Sequence, residues 1–362
     1  MKYNIVEIIM IWLTLHLTQY NSQLTTSDEL ILKNVVRQGT IKNYPYLNAT
    51  ADAIDLRQAM SGLGTDEEKV INIMTKRSNW DRQQIAAAYK NIFGKDLSYK
   101  LKREFSFHAS EMLQDLLIPP MDYDTQVIYS SIKGLFTDLD EITGVLCSKN
   151  NDQIAEIKRI YLKKYAWTIQ EAIKSDTTDP VLNLYLLMLN TPRQIGIHYD
   201  QIEEDAKLIM ATDIQHLHAD NLLFKILTFR SKDHIVKVLD AYQRLAKNGL
   251  HSALDQDISG AITKQGKAVR TVKNLIECYS SPPRFYAQQI YNAVNRLGTR
   301  DRNLFRPIIA RSEIDLEEIK NEFREIAGME LQSKIEEETS GSYKKVLRGI
   351  LEGNKKIINL QT

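Results

Sequence analysis

Two glycines one residue apart, Gly62 and Gly64 in "MSGLGTDEE", and a carboxylate 42 residues further on, Glu104, are groups that could hold a hard cation. A glycine turn bends successive backbone carbonyls inward because glycine accepts positive φ and close approach. A distant carboxylate folded back over that turn adds two more oxygens, and Ca2+ takes roughly 6 to 8 oxygens in loose geometry. A lone G-x-G is ordinarily a helix-to-helix turn; here the pattern recurs. Positions 62, 134, 215 and 296 carry Gly62, Gly134, Gln215 and Arg296, and 42 residues beyond them stand Glu104, Asp176, Asp257 and Glu338. No D-x-D-x-D-G string occurs, which excludes an EF-hand loop.

The elements that must position these groups come in four copies. "MSGLGTDEEKVINIMTKRSN" is similar to "IKGLFTDLDEITGVLCSKNN", to "VNRLGTRDRNLFRPIIARSE" and, more faintly, to "IQHLHADNLLFKILTFRSKD". The copies lie 72, 81 and 81 residues apart, longer than ankyrin, TPR or HEAT units, so each unit holds several helices and its own core. In unit one, Ala51, Ile54 and Met60 mark an apolar helical face that stops at Gly62. Thr65 with Glu68 reads as a capping box for the next helix, and Ser78 or Asn79 as the cap of a third. Gly94 ends that helix, Asp96 starts a fourth through Leu101, and "SEMLQDLL" is the fifth, before Pro119 and Pro120. No long strand-like alternation appears. The expectation is an all-α chain of four five-helix domains.

Composition bounds the rest. The chain has 362 residues, 43% of them hydrophobic and 26% charged, and a net charge of +1, so no global field draws it to nucleic acid or to an anionic bilayer. Any such partner must be reached locally. Cys147 and Cys278 form no C-x-x-C or Cys/His cluster, and two buried free thiols are expected. The amino terminus carries Lys2 and an apolar run from Ile8 to Leu17, of signal-peptide length and too short to span a bilayer. Glu7 and the lack of a small-x-small cleavage site lean the reading towards a cytoplasmic protein, with a secreted or cell-surface one as the alternative. In that case the sequon at Asn48, Ala49 and Thr50 is open to a glycan.

The strings GLGTDEE, KRSN, FGKDL, RSEIDL and ETSGSYKK, spread over residues 46 to 352, resemble the annexin family. That resemblance implies a curved disc of four homologous domains, with Ca2+ as the cofactor and acidic, phosphatidylserine-like phospholipid membranes as the partner. The boundaries it suggests are an N-terminal tail over 1–45 with a signal-like segment at 2–20, and repeats over 46–118, 119–190, 191–280 with a linker and a degraded loop, and 281–352, then a tail over 353–362. Carried over by residue, the first metal site is the carbonyls of Met60, Gly62 and Gly64 with the carboxylate of Glu104, and Thr65 and Glu67 match a minor site. Unit four keeps Val294, Gly298 and Glu338, with Arg296 where a glycine belongs. Unit two keeps Gly134 and Asp176, but Phe136 replaces its second glycine, and unit three has lost both.

Other residues carry plainer readings. His216 and His218 form a His-x-His pair, which could take a transition metal but reads as a solvated loop. Arg77, Lys149, Arg230 and Arg311 occupy matching places and read as structural ion-pair partners, and Trp80 as packing. A scaffold for cytoskeletal or receptor proteins is the alternative function. No G-x-S-x-G, H-E-x-x-H or P-loop string supports an enzyme.

Overall fold

The computed structural model describes residues 38–134, 137–212, 217, 221–254, 263–295 and 301–354. Among them are twenty α-helices, five per unit, and no strand. Unit one comprises α1 (Ala49–Ala59), α2 (Glu67–Lys76), α3 (Asn79–Phe93), α4 (Leu97–Glu104) and α5 (Phe107–Asp115). Unit two is α6 (Pro120–Lys133), α7 (Leu139–Ser148), α8 (Asn151–Tyr165), α9 (Ile169–Asp176) and α10 (Val181–Asn190). Unit three is α11 (Ile202–Met210), α12 (Leu222–Phe229), α13 (Lys232–Ala246), α14 (Leu250–Ala253) and α15 (Lys264–Ser280). Unit four is α16 (Pro282–Val294), α17 (Asp301–Arg311), α18 (Leu316–Ala327), α19 (Leu331–Glu338) and α20 (Gly341–Glu352).

The caps explain most boundaries in unit one. Ser78 and Asp81 form a reciprocal capping box at α3, Gly94 ends that helix in the left-handed region, and the Asp96 side chain caps α4 by accepting from the Tyr99 N–H. One cap differs from expectation. Asp66, not Thr65, caps α2, its side chain accepting from the Lys69 N–H, because the Thr65 hydroxyl is engaged elsewhere. Leu56, Val70, Met74, Ile85, Tyr89, Leu101 and Met112 fill the unit's core, while Ile54 lies 39% exposed and Trp80, expected to pack, 59% exposed.

The matching basic residues are ion-pair partners, as read from the sequence. Arg77 reaches Asp52 at 2.7 Å, Lys149 reaches Asp124 at 2.5 Å and Arg230 reaches Asp205 at 2.6 Å, each tying the end of a unit's second helix to its first helix. Unit four has Tyr286 in place of that acid. Arg311 there stacks on the Tyr286 ring at 4.6 Å and pairs with Asp315 at 2.6 Å.

Units one and four pack through α2 and α20, and units two and three through α7 and α15. Residues just ahead of unit one are tied to unit four: the Ile41 N–H donates to the Ser312 carbonyl at 3.0 Å and the Thr40 hydroxyl to the Ile350 carbonyl at 2.7 Å. Gly353 is required where the chain returns, since its φ is +56° and a Cβ there would sit 1.8 Å from the Thr40 carbonyl oxygen. The expectation of two free thiols is overturned. Cys147 and Cys278 are buried but joined in a disulfide, their Cα atoms 6.4 Å apart and 131 residues apart in sequence. No local motif marked them because it is the packing of α7 on α15 that brings them together.

Unit three departs at the start of its third helix. Where Asp81 and Gln153 complete capping boxes in units one and two, His234 turns away to share Asp205 with Arg230. Its fully buried ring lies 3.0 Å from Asp205 through Nε2 and accepts the His198 N–H at Nδ1, 3.1 Å away, which fixes the proton on Nε2. Burial lowers its pKa, opposed by Asp205 and aided by Arg230 and His198. The unfolded chain therefore takes up a proton that the folded chain resists, so this contribution is complete above about pH 6.5 and is lost as pH falls below it. Melting temperature measured from pH 7.5 to 5.0 is expected to drop more steeply for the wild-type chain than for His234→Gln; parallel curves would refute this.

Candidate metal centre

The first loop begins where α1 ends. The Met60 N–H still bonds back to the Leu56 carbonyl at 3.1 Å, and the Asp66 N–H donates to the Ala59 carbonyl at 2.9 Å, so the loop is pinched at its base. Between these points Gly62 and Gly64 have φ of +89° and +90°, and no atom lies within 4 Å of where either Cβ would be. Both glycines are thus needed for conformation rather than for space. Among the described residues, no donor is bonded to the carbonyl oxygens of Met60, Gly62 or Gly64. Leu63, held between the glycines, is fully exposed.

Glu104 is the last residue of α4, and it closes over this loop: the Thr65 hydroxyl donates to its Oε2. The Lys100 ammonium, one turn earlier on α4, holds Oε1. Lys100 first and Thr65 second keep the Glu104 carboxyl below the usual carboxylate range, so it is anionic at neutral pH. Three carbonyls without a donor and one anionic carboxylate are oxygen ligands of the kind a hard divalent cation takes. Among the described residues no group of three or more His, Cys, Asp or Glu could hold a metal.

The other predicted positions differ. Thr65 and Glu67 adjoin, the Glu67 N–H donating to the Thr65 carbonyl at 2.9 Å, while the Glu67 carboxylate accepts from the Ser342 hydroxyl at 2.8 Å and lies 3.5 Å from the Lys345 ammonium. In unit two the acid again closes on the loop, the Thr137 hydroxyl donating to Asp176, the last residue of α9. Yet Gly134 has φ −67° and ψ 173°, an extended backbone that any residue adopts, and Phe136 lies outside the described residues. In unit four Val294 ends α16 and Glu338 ends α19, with Lys334 2.8 Å from its carboxylate; Arg296 and Gly298 lie outside the described residues. So do Gln215, His216, His218 and Asp257 of unit three. Sequence reasoning missed Lys100 and Lys334, although a lysine four residues before an acid on a helix is a legible signal.

Four consecutive five-helix units define an all-α repeat protein, and in units one and two an acid at the end of the fourth helix accepts from a threonine hydroxyl of the segment between the first two helices. The annexin family model matches residues 51–116, 123–188, 205–265 and 285–350, and the chain belongs to the annexin family. It is 33% identical to annexin A1 of Rattus norvegicus over 317 residues, covering 87% of this chain and 90% of that one. It is also 33% identical to annexin A11 of Homo sapiens over 320 residues, covering 88% of this chain but 62% of that longer protein. Among solved structures, one of annexin III superposes with a TM-score of 0.80 at 28% identity, covering 87% of this chain and 97% of that one.

Two substitutions probe the site. In Ca2+-dependent liposome sedimentation, Glu104→Gln is expected to raise the Ca2+ requirement by at least about tenfold, because ligand charge sets affinity, and by more than Asp176→Asn or Asp257→Asn; equal losses would refute the ranking. Lys100→Met frees Oε1 and is expected to lower the Ca2+ requirement by up to about fivefold, the worth of an exposed pair. An unchanged or raised requirement would show that the lysine does not compete with the cation.

Proposed function

We propose that this chain binds acidic phospholipid membranes in a Ca2+-dependent manner, through the loop of unit one above all. The observation that carries this reading is the closure of Glu104 on a loop whose Gly62 and Gly64 are both left-handed. Met60, Gly62 and Gly64 would present carbonyls and Glu104 its carboxylate, on one side of the site only. When bound, Ca2+ would supply the positive charge that lipid phosphate and carboxylate oxygens complete from the other side. That arrangement explains how a chain of net charge +1 could hold an anionic surface. Membership of the annexin family supports it, since that family is generally known for Ca2+-dependent phospholipid binding. Annexins are also generally non-enzymatic, cytoplasmic and peripheral to the membrane, and no described helix is long and apolar enough to cross one.

Leu63 adds an apolar contribution. Fully exposed at the loop's apex, it would enter the headgroup boundary as the cation site fills, for roughly 1 to 2 kcal/mol if half to fully buried. Units two and four would contribute weaker sites, through Gly134 with Asp176 and through Val294, Arg296 and Gly298 with Glu338. Thr65 and Glu67 would add a minor site only by giving up the contacts described above.

Co-sedimentation with phosphatidylserine vesicles, with and without Ca2+, tests the reading. Binding that appears with Ca2+ and is reversed by a chelator is expected; no lipid binding at millimolar Ca2+ would turn the assignment towards the protein-scaffold alternative. Phe136→Gly is expected to lower the Ca2+ requirement by restoring a conformable second position in the loop of unit two. An unchanged requirement would mean that another feature, such as the extended Gly134, disables that loop.

A further inference from the structure

Two features unrelated to the loops bear on where this chain is made. The first is the disulfide between Cys147 of α7 and Cys278 of α15, which links units two and three and is almost wholly buried. Its formation removes two protons and two electrons from two thiols, which a disulfide-bearing oxidant must accept, and reducing compartments hold such pairs as thiols. The second is the sequon of Asn48, Ala49 and Thr50, the one N-x-S/T string in the whole sequence. Asn48 and Thr50 are both exposed, at the very start of α1. The Asn48 Oδ1 caps that helix by accepting from the Ala51 N–H at 3.0 Å, so a group attached to Nδ2 leaves the cap intact.

We propose that Asn48 is an N-glycosylation site, modified while the chain folds in an oxidising secretory compartment. There Nδ2 bonds to the anomeric carbon of a lipid-diphosphate-linked oligosaccharide as the carbon–oxygen bond to the diphosphate breaks. The amide gives up one proton and the lipid diphosphate leaves. Asn48 and the glycine loop lie at opposite ends of α1, eleven residues or about 16 Å apart along the axis, so the glycan stands clear of the membrane-facing loop. This reading reverses the cytoplasmic lean drawn from Glu7 and the missing cleavage motif.

The test is mass spectrometry of the protein from its native source, digested without reduction, before and after peptide-N-glycosidase in 18O-water. The expected result is a Cys147–Cys278 linked peptide and an Asn48 peptide that appears only after the enzyme, as 18O-labelled aspartate. In a eukaryotic secreting cell, Thr50→Ala should abolish the gel shift that the enzyme produces on the wild-type chain while circular dichroism stays unchanged, since that substitution spares the cap. An unmodified Asn48 peptide in native protein, two alkylatable thiols, or a shift retained in Thr50→Ala would each overturn the proposal.

Discussion

The ion pair between the first and second helices of a unit is the constraint on which the candidate site depends. In unit one it is Arg77 to Asp52, with both side chains largely withdrawn from solvent. It ties the far ends of α1 and α2, while the Asp66 N–H to Ala59 carbonyl bond closes their near ends. The six residues between are confined to a short loop, in which two left-handed glycines leave the Met60, Gly62 and Gly64 carbonyls without a donor among the described residues. Breaking a largely buried pair of this kind costs about 3 to 5 kcal/mol, because the remaining charge is stranded. The constraint is built three times with an acid and a fourth time with the Tyr286 ring, which shows that the clamp matters more than the chemistry used to make it.

From that clamp the rest of the site follows. The fourth helix of the unit ends on its acid, and the hydroxyl of Thr65, the last residue of the loop, donates to that acid. The same hydroxyl-to-acid closure in unit two, through Thr137 and Asp176, happens without a left-handed Gly134. Acid placement and loop conformation are thus separable, and unit one is the place among the described residues where both are present.

Much of this was legible in the sequence, and what was not has definite causes. Of the acids at the 42-residue spacing, Glu104 and Asp176 accept from Thr65 and Thr137, and Ser78, Gly94 and Asp96 are readable as helix boundaries because capping is local chemistry. Thr65 has the sequence of a cap but does not act as one, because its hydroxyl answers to a residue 39 positions away. The disulfide has no local signature for the same reason on a larger scale, since only the docking of α7 on α15 brings Cys147 to Cys278. The type of Trp80 suggests packing, but type does not reveal which face of a helix start meets solvent, and here it is exposed. Where side chains act within one helical turn, spacing suffices; where tertiary contact chooses the partner, it does not.

The loop of unit one is the place proposed to hold the cation. A crystal structure of the chain grown with Ca2+ and a soluble phosphatidylserine headgroup tests it most directly. The expected result is a cation within about 2.3 to 2.6 Å of the Met60, Gly62 and Gly64 carbonyls and the Glu104 carboxylate, with Lys100 displaced from Oε1 and a headgroup oxygen among the remaining ligands. A unit-one loop without a cation at saturating Ca2+, with Lys100 still seated on Glu104, would contradict it.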